Sequence, residues 1–341
     1  MGRIRLLALL AGSVLLWPSV VSAQNGGLKF TLTDLGTFGG FQSEAFAINN
    51  KGQIVGDYLW TFKRLSGQGC FSKPAGQVAV VFGSSTCTAR AVNASGAVAG
   101  WMSVGSATHA FRFDSSGNLY DLPPTNSFQY SYGYGIDNSG RVVGKDEVYG
   151  AEWDVGGHAT LLNCFGGWYE GAVSATNSTG NIVAGECWGS PSWWFNGTKY
   201  DLATLGTGCW GYGDGQAFAI NEGGFLVGYS ASDDCVTHAV LWTPAIVDLA
   251  ANAHAYAISN DNWIVGGLSG AGGFLRVSDS NCPQVVSLTT LLDSSGAGWS
   301  VTQAYGINDS HQIVGQGLAP NGQFHAILLT QANKLPLCKP V

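Results

Sequence analysis

Charge is scarce in this chain of 341 residues, of which only 11% are Asp, Glu, Lys or Arg. Basic residues are the rarer kind, with 15 Lys and Arg against 22 Asp and Glu. Nucleic acids and anionic membrane surfaces bind clustered Lys and Arg, so neither is expected as a partner. Low charge combined with 50 Gly, 12 Trp, 12 Tyr and 16 Phe argues against helical bundles and disorder. It favours short strands joined by tight turns.

Motifs of the common metal and nucleophile sites are also missing. The sequence has no Cys-x-x-Cys pair and no His-Glu-x-x-His, and His158, His254 and His311 share no metal-ligand spacing. No Gly-x-Ser-x-Gly or phosphate-binding Gly loop stands between a strand and a helix. We therefore expect no cofactor and no metal. Asp233-Asp234 could bind Ca²⁺ through oxygen ligands, but a solvated acidic loop is the simpler interpretation.

Long apolar runs are absent except at the N-terminus. Residues 1–23 have the pattern of a secretory signal peptide: basic Arg3 and Arg5, an apolar core from Leu6 to Trp17, and small residues at Val21-Ser22-Ala23. The apolar core is too short to span a bilayer comfortably. We expect a monomeric protein without a membrane span, exported to the periplasm or the cell exterior. Without the two arginines, 13 basic residues face 22 acidic ones, a net charge near −9.

A repeated segment organises the rest of the chain. Ala45-Phe46-Ala47-Ile48-Asn49-Asn50-Lys51-Gly52-Gln53-Ile54-Val55-Gly56 returns at 89–100 and in weaker copies. With its Asn or the equivalent residue as a marker, the copies fall at 49, 93, 137, 177, 221, 259 and 308. Seven units of roughly 40–50 residues built from short strands are typical of a β-propeller. We predict an all-β fold, with residues 24–341 forming one seven-bladed propeller of four-stranded antiparallel blades.

The repeat also predicts how a blade is built. The first strand ends at the marker, and a turn closed by Gly leads into the second strand. The positions two and four before the marker are mostly Ala or Gly, which suits an innermost strand packed tightly against its neighbour. In the sixth and seventh turns Asn262 and His311 replace Gly, so these residues are expected to be distorted or left-handed.

The two ends of the repeat region complement each other. Phe30 to Leu35 reads as a fourth strand without the three strands before it, and His325 to Leu329 reads as a third strand. We expect the N-terminal strand to complete the last blade and to close the ring, which removes open sheet edges.

These motifs resemble the HAF-repeat family of bacterial extracellular proteins, named for a His-Ala-Phe triplet on the third strand. The matching segments are Asp34-Leu35-Gly36-Thr37-Phe38-Gly39-Gly40, Ser43 to Asn49, Gly52 to Gly56 and His109-Ala110-Phe111. The resemblance covers essentially the whole chain after residue 23 and implies propeller-like repeats, but the family is defined by its repeat and not by a reaction. The His of the triplet recurs at 109, 238 and 325, which indicates a structural hydrogen bond and not a ligand set.

Eight Cys in an exported chain can form four disulfides, with 105 possible connectivities. Propeller topology places six of them on or near the face that carries the loops between the second and third strands and between the fourth and first strands, hereafter the loop face. The other two fall on the opposite face. Pairing neighbours on the same face predicts Cys70–Cys87, Cys164–Cys187, Cys209–Cys235 and Cys282–Cys338.

The loop face is also rich in aromatic residues. Flat rings beside polar groups are suited to stacking on the faces of sugars, and loops on a rigid scaffold commonly carry function. The predicted ligand-binding residues are Trp60, Trp101, Tyr130, Trp168, Tyr169, Trp188, Trp210, Tyr212 and Trp299. The alternative is that several of these rings pack between blades.

A polar cluster is predicted around the axis of the ring. The position five before each marker should face the channel mouth, and it reads Glu44, Thr88, Tyr132, Ala172, Gln216, His254 and Gln303. Two residues closer to the marker lies a mostly aromatic position, interrupted by Arg90. Glu44, Arg90, Tyr132 and His254 could serve a polysaccharide lyase, with Tyr or His as base and Arg neutralising a uronate. A hydrated channel mouth without a reaction is the common alternative.

Hydrolysis of a glycoside would need two carboxylates about 5–5.5 Å or 6.5–9.5 Å apart. The candidates are Glu44, Asp57, Asp146, Glu147, Glu170, Glu186, Asp214, Asp233 and Asp234. The sequence thus predicts a secreted propeller that binds an extracellular ligand, most simply a carbohydrate. A lyase or hydrolase and a surface platform for other proteins are the alternatives.

Overall fold

The computed structural model describes residues 27–62, 65–73, 80–82, 86–125, 129–162, 164, 171–209, 211, 213–278 and 284–334. Within these ranges the strands are β1 Phe30–Gly36, β2 Gln42–Ile48, β3 Ile54–Phe62, β4 Leu65–Lys73, β5 Val80–Phe82, β6 Cys87–Val92, β7 Val98–Val104, β8 Ala107–Phe113, β9 Leu119–Leu122, β10 Ser131–Ile136, β11 Val142–Asp146, β12 Tyr149–Trp153, β13 Ala159–Leu162, β14 Gly171–Thr176, β15 Ile182–Cys187, β16 Ser190–Phe195, β17 Thr198–Asp201, β18 Gly215–Ile220, β19 Leu226–Ala231, β20 Thr237–Trp242, β21 Ile246–Ala251, β22 Ala253–Ile258, β23 Ile264–Leu268, β24 Gly272–Arg276, β25 Val286–Ser287, β26 Ser300–Ile307, β27 Ile313–Leu318 and β28 Phe324–Gln331. Two short 3₁₀ turns, Leu288–Leu291 and Ser294–Gly296, are the helical segments of the described residues, and none is long and apolar enough to cross a membrane.

The strands form seven four-stranded antiparallel sheets, as the repeat predicts. Blades 1 to 6 take their strands in order, from β2–β5 to β22–β25. Blade 7 consists of β26, β27 and β28, and its outermost strand is β1, which pairs antiparallel with β28. Strand β2 of blade 1 packs against all three C-terminal strands. Blades 1 and 7 are therefore neighbours.

The recurrent Asn does more than open a turn. The side chain of Asn93 is buried; its Oδ1 accepts hydrogen bonds from the backbone of Ser95 and Ala97, while its Nδ2 donates to the carbonyl of Asp137 in the next blade, 2.8 Å away. The same donation runs from Asn49 to Asn93, from Asn221 to Ser259 and from Asn308 to Asn49. One amide thus fixes a turn and joins two blades.

The residues directly after the markers form a second set of links. The backbone N–H of one blade donates to the side chain of the equivalent residue in the next, as from Glu222 to Asn260, from Asn260 to Asp309 and from Asp309 to Asn50. The last of these bonds connects blade 7 to blade 1. The turns between the first and second strands, on the face opposite the loop face, are therefore joined by hydrogen bonds that run around the ring.

The two turns without Gly have left-handed backbones, as expected. Asn262 has φ 65° and His311 has φ 56°, where the other blades place a Gly. The His311 ring stacks on Trp263 at 3.7 Å, and its Nε2 lies 2.6 Å from Asp261. These contacts between blades 6 and 7 compensate for an unfavourable conformation.

The core lies in the layers between adjacent blades. One cluster joins Leu122 of blade 2 to Ile136 and Trp153 of blade 3. On the inner strands the small residues are required, because a Cβ on Gly135 would lie 3.2 Å from the Cα of Ala175 in the next blade. The predicted tight packing of the innermost strands is confirmed.

Three predicted disulfides are confirmed: Cys70–Cys87, Cys164–Cys187 and Cys209–Cys235. The predicted pair Cys282–Cys338 lies outside the described residues. The His of the triplet is structural, as expected, because His109, His238 and His325 each contact an Asp of the fourth strand of their own blade, at 2.8, 2.9 and 2.8 Å.

Candidate functional site

All seven inner strands carry a β-bulge at the same place. In each blade the register with the second strand shifts around the residue three before the marker. Bulges redirect a side chain and are enriched next to functional sites. Here they direct one side chain per blade into a cavity of about 660 Å³ on the axis. We call these residues the axial ring: Phe46, Arg90, Tyr134, Ser174, Phe218, Tyr256 and Tyr305.

Four aromatic members of the axial ring form a continuous arc. Phe218 lies 5.6 Å from Tyr256, Tyr256 lies 5.4 Å from Tyr305, and Tyr305 lies 5.3 Å from Phe46, measured between ring centroids. The interplanar angles of 38° to 56° leave the rings tilted. A half-buried aromatic wall therefore follows one side of the cavity from blade 5 to blade 1.

The other side of the cavity is more polar. The Arg90 guanidinium lies over the Phe46 ring, 4.5 Å from its centroid. Tyr134 packs edge-on against Trp101 at 5.7 Å, and burial raises the pKa of Tyr134 to about 12. Ser174 is the one small member of the ring. Lys145 and Glu186, from the second strands of blades 3 and 4, also line the cavity.

Toward the loop face a second layer of side chains interlocks the blades. We call the residues five before each marker the loop-side tier. A second-strand residue of one blade contacts the loop-side residue of the next: Gln316 donates to Glu44 at 2.8 Å, Thr88 donates to Asp57 at 3.1 Å, Trp101 lies 5.6 Å from Tyr132, and Tyr229 lies 4.9 Å from His254. The tier is therefore a ring of polar and aromatic contacts.

Two carboxylates of this region have raised pKa values. Glu44 and Asp57 are paired across β2 and β3. Burial raises the pKa of Glu44, against hydrogen bonds from Tyr305 and Gln316 and the charge of Arg90. Burial also raises the pKa of Asp57 to about 6, with the Glu44 charge adding to the effect and the Gln68 and Thr88 hydrogen bonds opposing it. Asp57 therefore exchanges its proton near pH 6.

The four residues of the predicted axial cluster lie in two layers. Arg90 lines the cavity, while Glu44, Tyr132 and His254 belong to the loop-side tier. The Arg90 charge acts on Glu44. His254 instead packs among the aromatic residues of blades 5 and 6, where burial lowers its pKa. No contact among the described residues joins Tyr132 or His254 to Glu44.

The predicted ligand-binding aromatics fall in different surroundings. Trp101 lines the axial cavity, and Tyr130 and Trp188 are exposed at 42% and 55%. Trp60 lies across the β3–β4 hairpin from Gly67, and Trp299 packs edge-on against His325. Trp168, Tyr169, Trp210 and Tyr212 lie outside the described residues.

The sequence pattern contains a signal for the axial ring. The position three before the marker is aromatic in five of the seven copies, namely Phe46, Tyr134, Phe218, Tyr256 and Tyr305. The alternation of side chains along a regular strand did not reveal that a β-bulge directs the side chain at this position into the axial cavity. Counting the offset in all copies identifies the ring without a structure.

The acidic pair considered for Ca²⁺ is engaged in local bonds. Asp233 Oδ1 accepts from the backbone N–H of Thr207 at 2.8 Å, and Asp234 Oδ1 accepts from Ser232 at 2.5 Å. Within the part of the chain that the structure describes, no group of three or more His, Cys, Asp or Glu residues could hold a metal ion.

Comparison with known proteins supports the fold alone. No protein-family model matches the sequence, and no curated protein matches it. The chain is similar to the structure of streptogramin B lyase, with 13% identity, a TM-score of 0.55 and coverage of 89% of this chain and 98% of that one. It is also similar to a catalytically inactive virginiamycin B lyase from Staphylococcus aureus with quinupristin, with 11% identity, a TM-score of 0.53 and coverage of 89% and 99%. A chain of the mitotic checkpoint complex gives 11% identity, a TM-score of 0.55 and coverage of 97% and 100%. At such identities a shared propeller does not imply a shared activity.

Proposed function

We propose that this protein binds a saccharide in its axial cavity. The main support is the arc of four aromatic rings, in which each ring stands at the β-bulge of the inner strand of its own blade. The rings are those of Phe218, Tyr256, Tyr305 and Phe46. Half-buried rings offer flat apolar surfaces, and the tyrosine hydroxyls and the loop-side tier offer hydrogen bonds. A pyranose presents the same combination of an apolar face and a polar edge. The cavity volume of about 660 Å³ is within the range of roughly 300–1,000 Å³ typical of ligand pockets.

This proposal moves the predicted site inward. The sequence pointed to aromatic loops, whereas the described rings that share one cavity come from the inner strands and from Trp101. Rigid strands hold a binding surface more precisely than loops.

Compartment and family belong to the same proposal. We propose that the protein is secreted, because three disulfides form readily only in an oxidising compartment. We also propose that it is a monomer. We further propose that it is an HAF-repeat protein, since the His of the triplet makes the same contact with a fourth-strand Asp in three blades.

Affinity electrophoresis in gels cast with different polysaccharides tests the binding. We expect retardation of the wild type by at least one glycan, and its loss in Tyr256→Ala and Tyr134→Ala, because stacking on a ring contributes about 0.5–1.5 kcal/mol beyond burial. Tyr200→Ala is the matched control, since Tyr200 is exposed on the outermost strand of blade 4. If Trp188→Ala abolishes retardation and Tyr256→Ala does not, the site is on the loops. If no glycan retards the protein, a protein partner becomes the favoured function.

Hydrolysis of the bound glycan is the second candidate, and one observation favours it. Glu44 and Asp57 are directly opposite each other on β2 and β3, where Cβ atoms lie about 4.5–5.5 Å apart. Retaining hydrolases use carboxyl groups about 5–5.5 Å apart, one of them with a raised pKa. Incubating the same gels and staining for glycan distinguishes the two. Clearing that Glu44→Gln abolishes without loss of retardation would establish an enzyme, and retardation without clearing would leave a binding protein.

A further inference from the structure

Two cationic side chains line the axial cavity without an anionic partner. Arg90 projects from β6 and Lys145 from β11, and both face the cavity. Neither makes a hydrogen bond or an ion pair with any residue that the structure describes. The contact given for the Arg90 guanidinium is the face of Phe46. Its N–H donors are therefore available to a molecule in the cavity.

The acids that could neutralise Arg90 are held by neutral donors. Glu44 accepts from Gln316 at 2.8 Å and from the hydroxyl of Tyr305. Asp57 Oδ2 accepts from Gln68 and Thr88. These bonds keep both carboxylates out of ion-pair contact with the guanidinium, although their charges still act on it.

The local charge of the cavity is opposite to that of the molecule. The chain has 22 acidic and 15 basic residues, yet the charged residues of the cavity wall are Arg90, Lys145 and a single acid, Glu186. One Glu186 oxygen accepts from the backbone N–H of Gly189 at 2.8 Å. Enclosing unpaired cations is costly, and an anion bound there would offset that cost.

We propose that the saccharide is acidic, and that its anionic group binds between Arg90 and Lys145 while its sugar faces stack on the axial ring. This inference rests on the proposed function and specifies its ligand class. A planar guanidinium suits a carboxylate because it can donate two parallel hydrogen bonds. The composition of the cavity wall thus suits an anion although the molecule as a whole is acidic.

Titration calorimetry with matched ligands tests the inference. The probes are trimers of galacturonate, glucuronate and mannuronate, each beside its fully methyl-esterified form, with a sulfated neutral trisaccharide to ask whether a carboxylate is required. We expect the best acid to bind about 10- to 100-fold more tightly than its ester, as the loss of charge-assisted hydrogen bonds implies. Arg90→Gln and Lys145→Met should each remove most of that difference. Lys51→Met is the control for charge, since Lys51 is exposed in the turn of blade 1.

The results test the acidic ligand and the saccharide site separately. Equal affinity for acid and ester, or an acid preference that survives both substitutions, overturns the acidic ligand while the saccharide site stands. Binding of the sulfated trimer that depends on Arg90 supports the inference with sulfate as the anion. Failure of every acid, ester and sulfated probe overturns both. Lys145→Met keeps the test valid if Arg90→Gln fails to fold.

Discussion

Asp57 shows how one buried residue links the site to the stability of the protein. Its carboxyl is 5% exposed between blades 1 and 2, where it accepts from Gln68 and Thr88. Burial raises its pKa from 3.8 to about 6. A carboxyl with a raised pKa in the folded state is protonated more readily there than in the unfolded chain. The stabilisation it provides is therefore complete below about pH 4 and is lost as the pH rises through about 6.

We predict that Asp57→Asn removes this dependence on pH. The free energy of unfolding of the wild type, relative to the variant, should fall by about 2–3 kcal/mol between pH 4 and pH 7.5. Urea unfolding at several pH values measures it, with Asp201→Asn, an exposed carboxylate of blade 4, as control. A difference that stays constant with pH would show that the pKa of Asp57 is not raised in the folded protein.

Acidic conditions should also strengthen binding of an anion in the cavity. As the pH falls from 7.5 to 5.5, Asp57 takes up a proton because burial raises its pKa to about 6. The negative charge that acts on Arg90 then becomes smaller, while a uronate remains ionised. We expect tighter binding at pH 5.5 than at 7.5, measured by calorimetry, and a weaker dependence in Asp57→Asn. Unchanged affinity across this range would argue against an anion beside Arg90.

At the scale of elements, the turn after the first strand carries both the local fold and the blade contacts. Sequence patterns predicted the turn and the left-handed Asn262 and His311, because Gly and Asn preferences act over a few residues. They did not predict that the Asn amide reaches the next blade, because that partner lies 38 or 44 positions away along the chain, and 259 positions away for the bond from Asn308 to Asn49. The sequence pattern did not predict the β-bulge either. Every copy contains the same extra residue, so the bulge does not change the spacing between copies.

We predict that Asn93→Ala destabilises the protein by about 2–4 kcal/mol, because the turn loses its acceptor and the Asp137 carbonyl loses a buried donor. Thermal or urea unfolding measures this. Asn118→Ala is the matched control: Asn118 is exposed in the second turn of blade 2 and bonds within that turn. Its loss should cost less than about 0.5–1 kcal/mol. Equal effects of the two substitutions would mean that the hydrogen bond from the Asn93 amide to the next blade adds nothing to the stability.

At the scale of the whole molecule, the repeat was sufficient to predict the fold and insufficient to predict the site. The period gave the number of blades, because each copy must form one sheet that buries its faces against two neighbours. The composition of the cavity depends on where seven different repeats depart from their common pattern. Arg90 and Ser174 are departures of this kind, and only their placement on one axis shows that they line the same cavity.

The final prediction concerns the ring as a cooperative unit. Phe30 of β1 is fully buried in the layer that contains Leu288, Leu291 and Ile327, and β1 forms the outer edge of blade 7. Phe30→Ala should lower the free energy of unfolding by about 3–5 kcal/mol. Thr33→Ala, exposed on the same strand, should change it by less than about 0.5 kcal/mol.

Calorimetry shows whether that loss is local or shared. In a closed ring each blade supports two others, so weakening blade 7 removes support from blades 6 and 1 together. We therefore expect one transition that moves as a whole to lower temperature in Phe30→Ala. A new transition at low temperature beside an unshifted main one would mean that blade 7 unfolds by itself. In that case the hydrogen bond from Asp309 to Asn50, and the others that link blade 7 to blade 1, would be too weak to couple the ends of the chain.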